Sequence, residues 1–199
     1  MSERPQWDVQ GRDWPQRGAS RFVDAGGVRW HVQQFGEGPA VVLVHGTGAA
    51  THSWRGLAPL LAEDRRVIAM DLPGHGFTGA LPRGETTLPG VAEAVAALLA
   101  KLRVHPQLAI GHSAGAAILA RMCLDGVLAP RALVSINGAL MPLPGVPGAV
   151  FLPIARALAV NSLAARLFAW RAREPAAVAR LVASTGSQID RTGLDLYGR

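Results

Sequence analysis

The chain has 199 residues, of which 49% are hydrophobic and 17% charged, with 20 basic and 14 acidic side chains. This composition excludes a disordered tail, and the single cysteine excludes an internal disulfide framework. The net charge of +6 predicts no nucleic-acid interface, because the arginines are scattered among alanines and form no stripe with interleaved aromatic residues.

Membrane and export signals are also missing from the sequence. No apolar run of about 18 residues is free of charge or proline, so no transmembrane helix is predicted. The first five residues lack the apolar segment of a signal peptide. We therefore predict a cytoplasmic protein that has at most peripheral contact with a membrane.

Two short strands and a buried one come first among the predicted elements. Residues 20–25 and 28–35 flank Gly26-Gly27, a combination typical of a β-hairpin. Residues 40–44 are apolar without interruption, which is typical of a strand buried on both faces of a parallel sheet.

Helices and further strands then alternate. Ser53 is placed to cap a helix over residues 54–62, and residues 67–70 form the next buried strand. Apolar residues from Val91 to Leu102 recur at the spacing of one face of an amphipathic helix.

The alternation continues to residue 136. A short strand at 108–110 leads into a helix over 114–125 that Gly126 ends, and residues 132–136 form another strand. Strands that alternate with helices behind a hairpin predict an α/β fold, with a mostly parallel sheet and helices on both of its faces.

The chain changes character after this last strand, so we predict two parts. Residues 1–141 form the core, and residues 142–199 form a helical cap that is cut short at the C-terminus. The predicted cap helices span residues 154–160, 163–172 and 176–183.

The cap sequence combines apolar residues with seven arginines and three acidic residues. That combination suits a large flat hydrophobic ligand with carboxylates, such as a tetrapyrrole, or an anionic membrane surface. The alternative is a cap whose apolar face packs on the core and whose arginines are solvated.

The strongest motif is Gly111-His112-Ser113-Ala114-Gly115, where a predicted strand ends and a helix begins. This is the pattern of a nucleophile elbow, in which Ser113 sits on a sharp turn above the sheet edge. Bulky residues in place of Gly111 or Gly115 would collide with neighbouring elements. His112 flanks the serine on the same turn, so we assign it to support of the elbow and not to the base.

The second motif is His45-Gly46-Thr47-Gly48, directly after the strand at 40–44. Glycine at positions 46 and 48 lets backbone N–H groups face a cavity. We predict an oxyanion hole made by the N–H groups of Thr47 and Ala114, with His45 supporting the loop.

These motifs resemble the α/β-hydrolase superfamily, and a third match is Asp71-Leu72-Pro73-Gly74-His75-Gly76. The resemblance implies an α/β-hydrolase fold with Ser113 as nucleophile. It also implies that Asp71 organises its loop and is not the catalytic acid. Thr78 stands where the family usually has a serine.

A narrower resemblance is to the BchO proteins, described as magnesium-chelatase accessory proteins of bacteriochlorophyll biosynthesis in photosynthetic bacteria. It implies chelatase subunits as partners. The segments that carry it are residues 13–15, 20–23, 26–32, 51–55, 137–140, 167–171 and 196–199.

A serine hydrolase of this fold needs an acid and then a histidine after the serine. All six histidines precede Ser113, and Asn137 stands where the acid follows the strand in some members. We expect a truncated chain, inactive alone, whose missing C-terminal part supplies both groups. The alternative is a shortened homologue without catalysis.

Three hypotheses for the function follow. The first is a serine hydrolase that cleaves an ester or related acyl bond in pigment synthesis. The second is a noncatalytic accessory module that binds a tetrapyrrole or the chelatase. The third is a generic carboxylesterase. No cofactor is predicted, and no spacing of His, Cys or carboxylates predicts a metal.

Overall fold

Six strands form a single sheet in the computed structural model, which describes residues 5–82, 84–140 and 190–198. The strands are β1 (Ser20–Ala25), β2 (Val28–Phe35), β3 (Ala40–Val44), β4 (Arg66–Met70), β5 (Leu108–His112) and β6 (Ala132–Ile136). Their order across the sheet is β1-β2-β4-β3-β5-β6.

Strand pairing confirms the predicted hairpin and the mostly parallel sheet. β1 pairs with β2 and β2 with β4 in the antiparallel sense, whereas the pairs β3–β4, β3–β5 and β5–β6 are parallel. Gly26 and Gly27 have φ values of 56° and 72°, and such a pair of positive φ angles is what a tight hairpin turn requires.

The described helices precede, alternate with or follow these strands along the chain. The α-helices are α1 (Trp7–Gln10), α2 (Leu57–Leu61), α3 (Leu88–Leu102), α4 (Ala114–Leu124) and α5 (Arg191–Tyr197), and two 3₁₀ helices span Arg17–Ala19 and Thr51–Trp54.

The helix predicted over 54–62 is confirmed only at Leu57–Leu61, and the prediction of Ser53 as its cap is wrong. The chain instead forms a 3₁₀ turn, in which the Ser53 N–H donates to Ala50 O at 3.0 Å. The α-helix begins only after Gly56, which makes no side-chain cap. A long-range bond from the Thr51 N–H to the Asp71 carboxylate fixes the start of this turn, and local spacing gives no sign of it.

The third helix begins earlier than its apolar spacing predicts. Thr87 is its N-cap, since the side-chain oxygen accepts a hydrogen bond from the Gly90 N–H at 3.2 Å. The fourth helix ends at Leu124, and Gly126 follows with a φ of 72°, close to the predicted stop.

The core has two faces because neighbouring residues of a strand point to opposite sides. Val42 and Val44 of β3 belong to the cluster that contains the buried residues of α3 and α4. Val41 and Leu43 belong to a second cluster with Trp54 and Ala58. The predicted arrangement of helices on both faces is thereby confirmed.

The chain divides into two compact units, Arg4–Leu140 and Met1–Glu3 with Met141–Arg199. In the second unit, α5 is capped by Asp190, whose carboxylate accepts from the Gly193 N–H at 2.6 Å. The predicted helices 154–160, 163–172 and 176–183 lie outside the described residues, and the cap stays a prediction. Within the described residues, no helix has the length and apolarity to cross a membrane.

Candidate active site

Ser113 occupies a strained turn between β5 and α4, with φ 51° and ψ −118°. This region of backbone conformation costs a residue with a side chain about 1–3 kcal/mol. Three hydrogen bonds hold it there: the Ser113 N–H donates to Ile136 O at 3.0 Å, and Ser113 O accepts from the N–H groups of Ala116 at 3.1 Å and Ala139 at 3.0 Å. The fold therefore imposes the conformation that a nucleophile elbow needs.

Close backbone approach explains the two glycines of the motif. A Cβ atom on Gly111 would lie 2.5 Å from both Cα and N of Ala116. A Cβ atom on Gly115 would lie 2.6 Å from the carbonyl oxygen of His45 and would also collide with that of Val44. Both glycines thus let α4 pack directly on the sheet.

The loop after β3, residues 45–51, is called the oxyanion loop here and lies against the elbow. A Cβ atom on Gly46 would lie 2.9 Å from the Cβ of Ser113 and 3.0 Å from Nδ1 of His112. Gly48 has a φ of 75°, and Thr47 and Gly48 are exposed. The structure thus brings the Thr47 loop and Ser113 together.

The two predicted oxyanion donors are available. In the described parts of the chain, the N–H groups of Thr47 and Ala114 donate no backbone hydrogen bond. The Ala114 N–H also stands at the first residue of α4, where helix N–H groups lack intrahelical partners and the helix dipole favours negative charge.

His45 is a fully buried, neutral support of the oxyanion loop. Its Nε2 accepts from the Leu72 N–H at 2.8 Å, so its Nδ1 carries the proton and donates to Gly46 O at 2.7 Å. Burial, helped by the nearby His75, lowers the pKa of His45 to about 3. With both nitrogens engaged, this ring is unsuited to accept a proton from a nucleophile.

Asp71 holds three elements together from inside the protein. Its Oδ1 accepts from the Thr51 N–H at 2.7 Å, and its Oδ2 accepts from the Phe77 N–H at 3.0 Å and from His31 Nδ1 at 2.8 Å. Burial raises the pKa of Asp71, but the hydrogen bond and charge of His31 outweigh it and the pKa falls below its usual value. This carboxylate is ionised and fully used in joining the loops.

Thr78 has a defined task although it departs from the usual serine. Its side chain is buried, and its Oγ1 accepts from the His31 N–H at 2.8 Å. A serine would present the same oxygen atom at this position.

Replacing Thr78 by valine is expected to lower the free energy of unfolding by about 1–3 kcal/mol, because the buried His31 N–H loses its acceptor. Thr78→Ser keeps that oxygen and is expected to cost about 1 kcal/mol or less. Urea unfolding of the two variants checks this, and equal midpoints for Thr78→Val and the wild type would contradict it.

No described histidine ring bonds to the Ser113 hydroxyl, which has no hydrogen-bond partner in the described parts of the chain. His75 Nδ1 lies 3.1 Å from Pro73 O, and His105 is exposed in the loop before β5. Burial lowers the pKa of the half-buried His112. Across residues 5–82, 84–140 and 190–198, no three His, Cys, Asp or Glu side chains form a group suited to a metal.

Comparison with known proteins decides the family. A family model described as the alpha/beta hydrolase fold matches residues 39–196. The chain belongs to the α/β-hydrolase family. This α/β-hydrolase chain is 39% identical over 187 residues to the magnesium-chelatase 30 kDa subunit of Rhodobacter capsulatus. The aligned residues cover 93% of the chain and 65% of that relative.

Other α/β-hydrolase relatives match a smaller share. The chain is 36% identical over 118 residues to bifunctional epoxide hydrolase 2 of Sus scrofa, covering 58% of the chain and 21% of the relative. It superposes on a crystal structure of an α/β-hydrolase fold protein from Burkholderia ambifaria with a TM-score of 0.66 and 27% identity, covering 90% of the chain and 64% of that protein.

These findings confirm the predicted fold class and both resemblances, the narrower one through the chelatase subunit. The chain spans 65% or less of the length of each of these three proteins.

Proposed function

We propose that Ser113 is the nucleophile of a serine hydrolase that cleaves an ester or related acyl bond. The observation that carries this proposal is the backbone of Ser113, held by three hydrogen bonds at φ 51° and ψ −118°, beside the N–H groups of Thr47 and Ala114, which donate no backbone hydrogen bond within the described residues. A fold that keeps a strained serine in this position gains nothing from it in stability, which supports a chemical use.

In the reaction that this geometry supports, Ser113 Oγ attacks the carbonyl carbon while a base takes its proton. The carbonyl oxygen becomes an oxyanion that accepts from the N–H groups of Thr47 and Ala114. Each such donor is worth about 3 kcal/mol of barrier. The tetrahedral intermediate expels the alcohol, and water then releases the acid from the acyl-Ser113 ester.

Residues 1–199 supply no histidine that can accept the proton of Ser113. All six histidines precede Ser113, and none of them bonds to its hydroxyl. We place the histidine base and its orienting acid outside these residues, so the isolated 199-residue chain is expected to be inactive.

The likeness to the magnesium-chelatase 30 kDa subunit supports a place in bacteriochlorophyll biosynthesis. The substrate we propose is hydrophobic, of the tetrapyrrole class, and chelatase subunits are the proposed partners, in the cytoplasm or peripherally at the membrane. The same likeness favours a second candidate, a noncatalytic module that binds the tetrapyrrole or the chelatase on a hydrolase scaffold.

Labelling with a fluorophosphonate probe tests the nucleophile in the protein expressed from its own gene. We expect the probe to modify Ser113, and mass spectrometry of the peptide would locate the adduct. Ser113→Ala abolishes the label, whereas the control Ser135→Ala on β6 leaves it unchanged.

The same variants separate the candidate functions. Loss of pigment synthesis in Ser113→Ala together with labelling of the wild type supports the hydrolase. Absence of labelling, with pigment synthesis intact in Ser113→Ala, supports the binding module. Labelling without any effect on pigments would indicate a generic carboxylesterase.

A further inference from the structure

The N-terminal segment, residues 6–19, is bonded directly to the oxyanion loop through one buried tryptophan. Trp14 Nε1 donates to Thr51 Oγ1 at 3.0 Å, and both side chains are almost fully buried. The Thr51 N–H in turn donates to Asp71 Oδ1 at 2.7 Å. Thr51 therefore joins the indole to the buried carboxylate at the end of the loop.

This bond matters because it holds one end of the oxyanion loop, which is also held at its other end and by one internal turn bond, from the Ala49 N–H to Gly46 O at 3.2 Å. At the first end, His45 Nε2 accepts from the Leu72 N–H at 2.8 Å. At the second end stands Thr51. Between these ends, Thr47 and Gly48 are exposed. The direction of the Thr47 N–H thus depends on how firmly the two ends are held.

Trp14 is itself held on several sides. Its ring meets Phe77 edge-on at 4.9 Å between centroids and His52 at 5.2 Å. The next residue is also fixed, because the buried Gln33 side chain donates from Nε2 to Pro15 O at 2.6 Å. The indole is therefore a rigid donor, not a surface group that happens to reach the loop.

The same segment supports Asp71 from its other side. Trp7 packs on His31 with ring centroids 4.9 Å apart, and His31 Nδ1 lies 2.8 Å from Asp71 Oδ2. The Arg17 guanidinium covers the outer face of Trp7 at 4.3 Å from the ring centroid. The histidine that bonds to this carboxylate is thus packed against an aromatic ring of the N-terminal segment.

We infer that Trp14 is a positioning residue for the oxyanion hole: its N–H fixes Thr51, and Thr51 fixes the loop that directs the Thr47 N–H. The inference rests on the proposed function, since it assigns a use to the segment before β1 in the same reaction. It also gives a role to residues 13–15, which the hydrolase motifs leave unexplained.

Trp14→Phe tests it, because phenylalanine keeps an aromatic ring and removes the N–H. We expect the rate of fluorophosphonate labelling at Ser113 to fall about tenfold, a part of the 10²- to 10³-fold loss that removal of an oxyanion donor causes. Thr51→Val gives a similar loss, and the double variant loses little more than either single one. Thr51→Ser keeps the oxygen and restores the rate.

A second readout does not depend on catalysis. Hydrogen exchange of residues 45–51 is expected to be about tenfold faster in Trp14→Phe than in the wild type, because the end of the loop opens more often. The matched control is Trp30→Phe. Trp30 is fully buried, and its Nε1 donates to Ala25 O at 3.0 Å in the β1–β2 hairpin and not to the oxyanion loop. This control loses the same kind of bond and leaves both readouts of the loop unchanged.

The outcomes are distinguishable. A wild-type protein that the probe never labels refutes the proposed hydrolase, while faster exchange in Trp14→Phe still supports the positioning of the loop by Trp14. Labelling of the wild type and of Trp14→Phe at equal rates overturns the inference. Unchanged exchange at residues 45–51 in Trp14→Phe overturns it as well.

Discussion

Gly115→Ala is expected to lower the free energy of unfolding by about 3 kcal/mol or more, although alanine favours a helix over glycine by about 1 kcal/mol. Gly115 is the second residue of α4, so propensity alone predicts a gain in stability. The added Cβ would lie 2.6 Å from His45 O and 2.7 Å from Val44 C. These are backbone atoms at the buried end of β3, so the clash moves the whole helix away from the sheet.

Urea unfolding measures this effect, and Gly56→Ala provides the matched control. Gly56 is exposed, has a right-handed helical conformation, and an added Cβ would meet no atom within 4 Å. We expect Gly56→Ala to leave the unfolding midpoint unchanged or slightly raised. An unchanged midpoint in Gly115→Ala would show that α4 does not pack on β3 as closely as described.

The sheet could be predicted because its signals are local. The glycine pair at 26–27 and the apolar run at 40–44 each define an element from a few adjacent residues, and both are confirmed. The same holds for the strand, turn and helix around Ser113, where glycine spacing alone predicts a close approach of backbones.

The first residues of the helices were less predictable, because a residue with the chemistry of a cap does not always cap a helix. Ser53 has the right chemistry for a cap but lies inside a 3₁₀ turn, and Thr87 is the cap of α3 although the apolar spacing begins only at Val91. Which polar residue caps a helix depends on where tertiary contacts fix the chain, as the Thr51–Asp71 bond shows.

The network behind the oxyanion loop could not be predicted from spacing at all. Trp14 bonds to Thr51 across 37 residues, and Asp71 bonds to His31 across 40 residues. Tryptophan and histidine have many roles in a sequence, and only the fold brings these side chains together. The only sequence signal was the position of Trp14 within residues 13–15, a segment of the narrower resemblance.

His45 is expected to make the protein progressively less stable as the pH falls from 6.5 to about 3. In the folded state its pKa is about 3, because burial disfavours the charged ring, whereas the unfolded value is 6.5. Between these values the unfolded chain binds a proton that the folded protein does not. The stabilisation is complete above pH 6.5 and is lost at about 1.4 kcal/mol per pH unit, or about 5 kcal/mol in all.

Replacing His45 by glutamine separates this effect from other titrations. The glutamine carbonyl can accept from the Leu72 N–H as Nε2 does, but it takes up no proton. Urea unfolding between pH 7 and pH 4 is expected to show a free energy of unfolding that falls less steeply with pH in His45→Gln than in the wild type. The difference in slope corresponds to about one proton fewer taken up on unfolding. The exposed His105→Gln controls for the loss of a histidine, and equal slopes in His45→Gln and the wild type would refute the prediction.

Asp71 affects the free energy of unfolding in a lower range of pH than His45 does, so the two effects can be separated. Its pKa lies below the ordinary 3.8, so its ionised form stabilises the fold above that value and the contribution is lost only as the pH falls further. The half-buried His75, whose pKa burial also lowers, adds to the slope in the range of His45. Acid unfolding that begins well above pH 4 is therefore evidence for histidines that the fold keeps neutral behind the oxyanion loop, and not for protonation of the carboxylate that holds Thr51.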